Sequence, residues 1–219
     1  MNIIGFGGGG CKIAAGFSKY PQYDVYRIDA GIRGENCFNV PEQKSHEAYE
    51  ENYPSFANQF QKITGETIFV LTGAGTISGC VLRVLQELSH NPTTVVYVQP
   101  DLALLSEVEL KQEKIVYNVL QEYARSGMLE RIYLVSNLQI QEALGDIPIM
   151  EYYNTINQAL INTLHMINVF SHSEAVLGTF TQPMIISRIS TLGVVDLEEN
   201  EEKWFYDLQM PRDVIYYYG

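Results

Sequence analysis

The sequence predicts an α/β protein in which a mostly parallel sheet is flanked by helices. Three observations point there. Short β-prone runs alternate with helix-period segments from the first residues to about residue 172. Two strand candidates run directly into glycine-rich turns, Gly5–Gly10 and Gly73–Gly79, that open helices. The chain is 46% hydrophobic and 18% charged over 219 residues, the balance of a packed protein with length to bury a large core, which excludes disorder. That length suits one domain with an appendage rather than two equal halves.

The strand candidates are Asn2 to Gly5, Asp24 to Asp29, Thr67 to Leu71, Thr94 to Gln99 and Arg131 to Ser136. Helices are expected from Cys11 to about Lys19, Pro54 to Ile63, Gly79 to Ser89 and Ser106 to Ser126. The last is the best marked. Ser106 and Glu109 have capping-box spacing, Gly127 suits a left-handed C′ position, and Val108, Ile115, Val116, Val119, Leu120 and Tyr123 are read as one apolar stripe. From Glu151 to about His172 the apolar residues Tyr153, Ile156, Leu160, Ile161, Leu164, Ile167 and Phe170 cover more than one face, which predicts a long helix enclosed on several sides. Beyond Ser173 come β-branched runs (Met184 to Ile189, Thr191 to Val195), an acidic stretch (Asp196 to Glu202) read as a solvated turn, and an aromatic ending at Tyr216 to Tyr218 read as an edge strand or packed tail.

Net charge excludes some partners. At −12 the chain repels a phosphate backbone or an anionic lipid surface, so neither nucleic acid nor membrane is expected as a partner. No apolar run reaches eighteen residues and the start lacks a signal-peptide pattern, so a soluble, cytoplasmic protein is expected. Cys11, Cys37 and Cys80 are widely spaced without CxxC pairs, and His165 and His172 have no further ligands nearby, so no metal site of protein ligands is expected.

The chemistry lies in the glycine turns. Gly7, Gly8, Gly9 and Gly10 let backbone approach an anion without a Cβ in the way, and the helix they open, at Cys11, adds free N–H groups and a partial positive charge. Gly5, Gly7 and Gly10 also satisfy GxGxxG, with Asp29 where a dinucleotide-binding fold keeps its ribose acid, so this turn alone leaves phosphate and dinucleotide open. The second turn, Gly73-Ala74-Gly75-Thr76-Ile77-Ser78-Gly79, favours a polyphosphate held from both sides, with the Thr76 and Ser78 hydroxyls as extra donors. No GxxxxGK[ST] occurs, which removes ordinary P-loop enzymes.

Together these features resemble the Rossmann-like nucleotide-binding domain of the tubulin/FtsZ superfamily. Gly73 to Gly79 is similar to its GGGTG[ST]G signature, with Ala74 and Ile77 replacing two glycines. The resemblance covers roughly residues 1 to 172, a nucleotide-binding domain with its long central helix, and leaves 173–219 as a short C-terminal extension. It implies that Gly7 to Cys11 and Gly73 to Gly79 hold the phosphates of GTP or GDP, and that Asp29 lies near phosphate or Mg²⁺. It further implies that Pro100 approaches the ribose, that Glu107 and Lys111 line sugar and phosphate, and that Asn157 reads guanine. The carboxamide suits that role, accepting from N1–H and N2–H₂ or donating to O6. It also implies nucleotide-dependent self-association, as a homo-oligomer or with a larger tubulin/FtsZ-like cytoskeletal partner.

The sequence departs from the family in three places. The loop from Ser173 to Pro183 lacks the NxDxxD acids that complete the GTPase site of a neighbouring subunit, so hydrolysis is expected to be weak or absent. Only 47 residues follow the central helix, where the family continues through another domain. From Gln43 to Asn52, Glu47, Glu50 and Glu51 stand where the family places small residues around the γ-phosphate; beside a phosphate they would repel it unless Mg²⁺ intervenes or the segment loops away. Two other readings stay open: an interaction module on a degenerate tubulin-like fold that has lost its ligand, and an NAD-dependent oxidoreductase using Gly5, Gly7, Gly10 and Asp29.

Overall fold

The computed structural model describes residues 1–173, 187–198, 201–209 and 213–217. Five strands fall within one residue of the expected runs: Asn2–Phe6 (β1), Asp24–Ala30 (β2), Thr67–Thr72 (β4), Thr93–Gln99 (β5) and Arg131–Ser136 (β6). Cys37–Val40 (β3) and Ile189–Thr191 (β7) complete a seven-stranded sheet in the order β3-β2-β1-β4-β5-β6-β7, with every pairing parallel.

A parallel sheet covered on both faces must be apolar on both, and alternate residues of each central strand divide accordingly. Ile4, Phe6, Phe69, Leu71, Val95, Tyr97, Ile132 and Leu134 face one core, while Ile3, Ile68, Val70, Val96, Val98 and Val135 face the other. The second core is closed by helices Gly7–Gly16 (α1), Asn137–Leu144 (α6) and Tyr152–Ser171 (α7). The first is closed by His46–Glu51 (α2), Ala57–Phe60 (α3), Val81–Glu87 (α4) and Glu107–Arg125 (α5). Each fully buried Leu, Ile, Val or Phe in these layers contributes about 1.5–3 kcal/mol.

Several expectations are corrected. α1 begins at Gly7, inside the glycine run rather than at Cys11, and gives way to a 3₁₀ turn at Phe17–Lys19. The helix expected over Pro54 to Ile63 is only the single turn α3. The helix expected from Gly79 is a 3₁₀ turn, Thr76–Cys80, followed by α4. The capping box on α5 forms, with Glu109 Oε2 accepting from the Ser106 N–H at 2.8 Å, and Gly127 is left-handed at φ +81°. Its buried stripe differs from the expected one. Val116, Leu120 and Ala124 are buried beside Glu113, whereas Val108 and Ile115, seven residues apart on an adjoining face, are 63% and 54% exposed. α7 buries one face through Ile156, Leu160, Ile161 and Leu164, and Tyr153, Met166 and Val169 remain exposed, so the expected enclosure on several sides is not met.

Strands Gly193–Asp196 (β8) and Glu201–Trp204 (β9) form an antiparallel hairpin, so Asp196, Glu201 and Glu202 of the stretch expected as a turn are strand residues, and 199–200 lie outside the described residues. After it Phe205 is fully buried, fixed by Ser136 N–H to its carbonyl at 2.7 Å and its own N–H to Leu192 O at 2.8 Å. Tyr217 stacks on Phe170 at 5.8 Å. Residues 174–183 of the loop expected to lack the NxDxxD acids lie outside the described residues, as do 184–186 of the Met184 to Ile189 run and Tyr218.

From β1 the chain winds outward to β2 and β3, then crosses back so that β4 pairs with the other side of β1 and the remaining strands continue away. The strand order therefore reverses between β1 and β4, and open α/β sheets bind ligands in the crevice beyond the carboxyl ends of strands at such a reversal.

Candidate functional site

Both glycine turns leave the two strands that flank this reversal. β1 ends at Phe6, and Gly7 turns the chain at φ +69°, a conformation only glycine adopts cheaply, so that α1 starts at once. The first N–H groups of α1, which lack intrahelical acceptors, point out of the carboxyl edge of the sheet. The turn lies tightly against β4. A Cβ on Gly10 would overlap the Val70 carbonyl oxygen, and one on Gly9 would lie 2.7 Å from Thr72 Cγ2. On the other side Asp29 at the end of β2 approaches, its Oδ2 lying 3.9 Å from where a Gly8 Cβ would stand. Asp29 Oδ1 accepts the Ala30 N–H at 2.9 Å, which leaves Oδ2 toward the turn.

The second turn is held from below and from the side. A Cβ on Gly73 would overlap the hydroxyl of Tyr97, which is fully buried and donates to Glu113 Oε1 at 2.8 Å. A Cβ on Gly79 would overlap the carbonyl oxygen of His46, the first residue of α2. Gly75 and Thr76 are exposed, whereas Ala74, Ile77 and Ser78 are buried. Ile77 joins the two turns: its Cγ2 would be 3.2 Å from a Cβ on Gly7 and 4.0 Å from one on Gly75. Ser78 Oγ and His46 Nε2 are buried without a hydrogen-bond partner among the described residues.

The segment from Gln43 to Asn52 does not loop away; α2 packs on the Thr76–Cys80 turn. Its acids are partly engaged. Glu50 pairs with Arg83 at 3.4 Å, and Glu47 is held below the usual carboxylate range by a backbone hydrogen bond and by Ser45, the N-cap of α2.

The other nominated residues have definite places. Cys11 lies in α1 with Sγ 3.3 Å from Gly5 O; burial, then the Asp29 charge, pushes its pKa up to about 12, so the thiol is neutral. Pro100 and Asp101 follow β5 at the same edge, and the Asp101 charge reaches Tyr152 at the start of α7. Glu107 and Lys111 are exposed on the first turns of α5, a helix that contacts the Thr76–Cys80 turn. Asn157 is half-buried and lies one helical turn before Ile161, whose side chain packs at Gly16 of α1. Its carboxamide makes no hydrogen bond among the described residues, while Asn162 accepts from Gln158 at 2.5 Å and Asn168 donates to Tyr23 at 3.4 Å. Among the described residues no cluster of three or more His, Cys, Asp or Glu side chains could hold a metal ion, and no helix is long and apolar enough to cross a membrane.

Sequence reasoning missed Thr72, Tyr97, Glu113 and His46. The N-cap Ser45 followed by His46 and Tyr49, the two residues α2 buries, was a readable helix signal. Nothing local marks Tyr97 or Glu113, because their role is a contact between β5 and the helix packed on it, α5.

No protein-family model matches this sequence, and no curated protein sequence matches it. The fold does have solved counterparts. The structure superposes on the FtsZ W319Y mutant of M. jannaschii with a TM-score of 0.64 at 11% identity, covering 81% of this chain and 58% of that one. A GTPγS-form protofilament of Bacillus thuringiensis TubZ gives 0.61 at 14% identity, covering 75% and 56%. CetZ from Methanosaeta thermophila gives 0.60 at 16% identity, covering 81% and 56%. The chain thus has a tubulin/FtsZ-like α/β fold and spans between 56% and 58% of the length of these structures.

Proposed function

We propose that this chain binds a guanine nucleotide at the carboxyl edge of its sheet, across the reversal between β1 and β4. The observation that carries the reading is the contact between the two glycine turns, which leave adjacent strands and meet at Gly7 and Ile77. In this role the first amides of α1 at Gly8, Gly9 and Gly10, and the backbone of Gly73 to Gly79, receive the phosphates. About half an elementary positive charge at the helix start adds to these hydrogen bonds. Asp29 stands beside the phosphates and can hold Mg²⁺ against them. Pro100, Glu107 and Lys111 serve the sugar side. Asn157, with its carboxamide unused by the described residues, reads the base. Hydrolysis is slow or absent for want of the paired acids that orient water, and association with a second copy or a longer tubulin/FtsZ-like partner depends on the bound nucleotide.

Thermal-shift titration with GDP, GTP, ATP and NAD tests this. Guanine nucleotides raise the midpoint by mass action, ATP and NAD do not, and Asn157→Ala removes the preference. Equal shifts with ATP, or an NAD-only shift, would refute it. A second reading, an interaction module without a ligand, is favoured by the side chain of Ile77, which fills space between the turns; it predicts no shift with any nucleotide.

A further inference from the structure

Resting on that reading, we infer that the site takes a nucleoside diphosphate and excludes a third phosphate, with Ile77 as the residue that sets this preference. The base end and the phosphate end of the ligand lie toward opposite faces of the sheet. Asn157 and α7 pack with α1 on one face, whereas Ile77, α2 and α4 belong to the core of the other. A nucleotide with its base at Asn157 lays its phosphates over the amides of α1 and across the ends of β1 and β4. Each added phosphate advances toward Ile77.

There the surroundings change. Where the resembling signature has glycine, Ile77 presents a branched side chain, only 8% exposed, with a methyl group against both Gly7 and Gly75. It supplies no donor, and a phosphate pressed against it loses water without replacement. Behind it α2 is seated on the same turn, its His46 carbonyl oxygen against Gly79, so this flank cannot open without moving a helix. The helix itself, His46–Glu51, carries Glu47, Glu50 and Glu51, of which Glu50 is paired with Arg83 at 3.4 Å, and no lysine or arginine of its own. A terminal phosphate would therefore press on the Ile77 side chain beside a helix of net negative charge, while two phosphates reach only the amide-lined part of the crevice. The chain would then hold one nucleotide state and not read the difference between two.

The test compares the affinities of GDP and a non-hydrolysable GTP analogue, by calorimetry with Mg²⁺, for the wild-type chain and for Ile77→Gly and Ile77→Ala. The wild type binds GDP at least tenfold more tightly. Both variants bring the ratio below threefold by gaining affinity for the triphosphate. Equal affinities in the wild type, or a ratio unchanged in a folded variant, would overturn the inference and leave guanine-nucleotide binding standing. If neither ligand binds the wild type or a folded variant, inference and functional reading fall together. The wild-type comparison needs no variant, and Ile77→Ala avoids the backbone entropy cost of glycine.

Discussion

Tyr97 and Glu113 provide a direct check on how the second glycine turn is supported. Tyr97→Phe removes one oxygen from a fully buried ring and leaves the Glu113 carboxylate, 3% exposed, without a hydrogen bond among the described residues. Burial and the neighbouring carboxylate raise the phenol pKa, so the group lost is a neutral donor at any working pH. A hydrogen bond to a charged partner contributes about 1.5–3 kcal/mol, and the orphaned carboxylate adds its desolvation. For a chain of this size that lowers Tm by roughly 3–12 °C. Urea unfolding and calorimetry read the loss. The double variant Tyr97→Phe with Glu113→Leu removes both polar partners and should recover most of it, because an apolar pair leaves nothing unsatisfied. A single-variant loss under about 0.5 kcal/mol, or a double variant as damaged as the two singles combined, would refute this account of the support.

Three further outcomes follow from the same contacts. Gly79→Ala forces a methyl group into the His46 carbonyl and should cost about 1–3 kcal/mol in urea titration, whereas no loss would mean α2 does not sit on the turn. The His172 pKa is raised, first by its hydrogen bond to Asn168 O and then by Glu66; this stabilisation is complete below the ordinary histidine value of about 6.5 and is lost as pH rises through the raised folded value. His172→Gln should accordingly lower Tm more at pH 5.5 than at pH 8, by a modest amount because both partners are half exposed, and a larger loss at pH 8 would reverse the assigned sign. Burial pushes the Cys11 and Cys80 thiols up to about 12, so at pH 8 a thiol reagent should label Cys37 alone in the folded chain; fast reaction of a second thiol would contradict their packing.

Most of the sheet was legible because β1, β4, β5 and β6 are short runs rich in β-branched and apolar residues. β3 was not, since Cys37–Val40 is four residues long with Phe38 packed inward and Asn39 exposed, too short to show a period. The start of α1 was misplaced for an energetic reason. Each glycine costs a helix about 1 kcal/mol relative to alanine, so Gly7 to Gly10 read as loop, yet close approach to Val70 and Thr72 requires residues without a Cβ there. On α5, counting apolar residues put Val108 and Ile115 on the buried stripe, where Glu113, buried through its bond to Tyr97, actually belongs. That the two glycine turns and Asp29 come together at one edge of the sheet was legible from their places after successive strands. Tyr97 and Glu113 were not, because a buried polar pair is recognisable only once the packing of helix on strand is known.

The claim beneath all of this is that two turns far apart in sequence grip one polyanion. A ¹⁵N-amide NMR titration with GDP measures it at each backbone position. Saturable shifts with one shared dissociation constant should appear in Gly8, Gly9 and Gly10 and also in Gly73 and Gly75. Shifts confined to one turn, different constants for the two, or perturbation elsewhere on the sheet with both turns silent would contradict it.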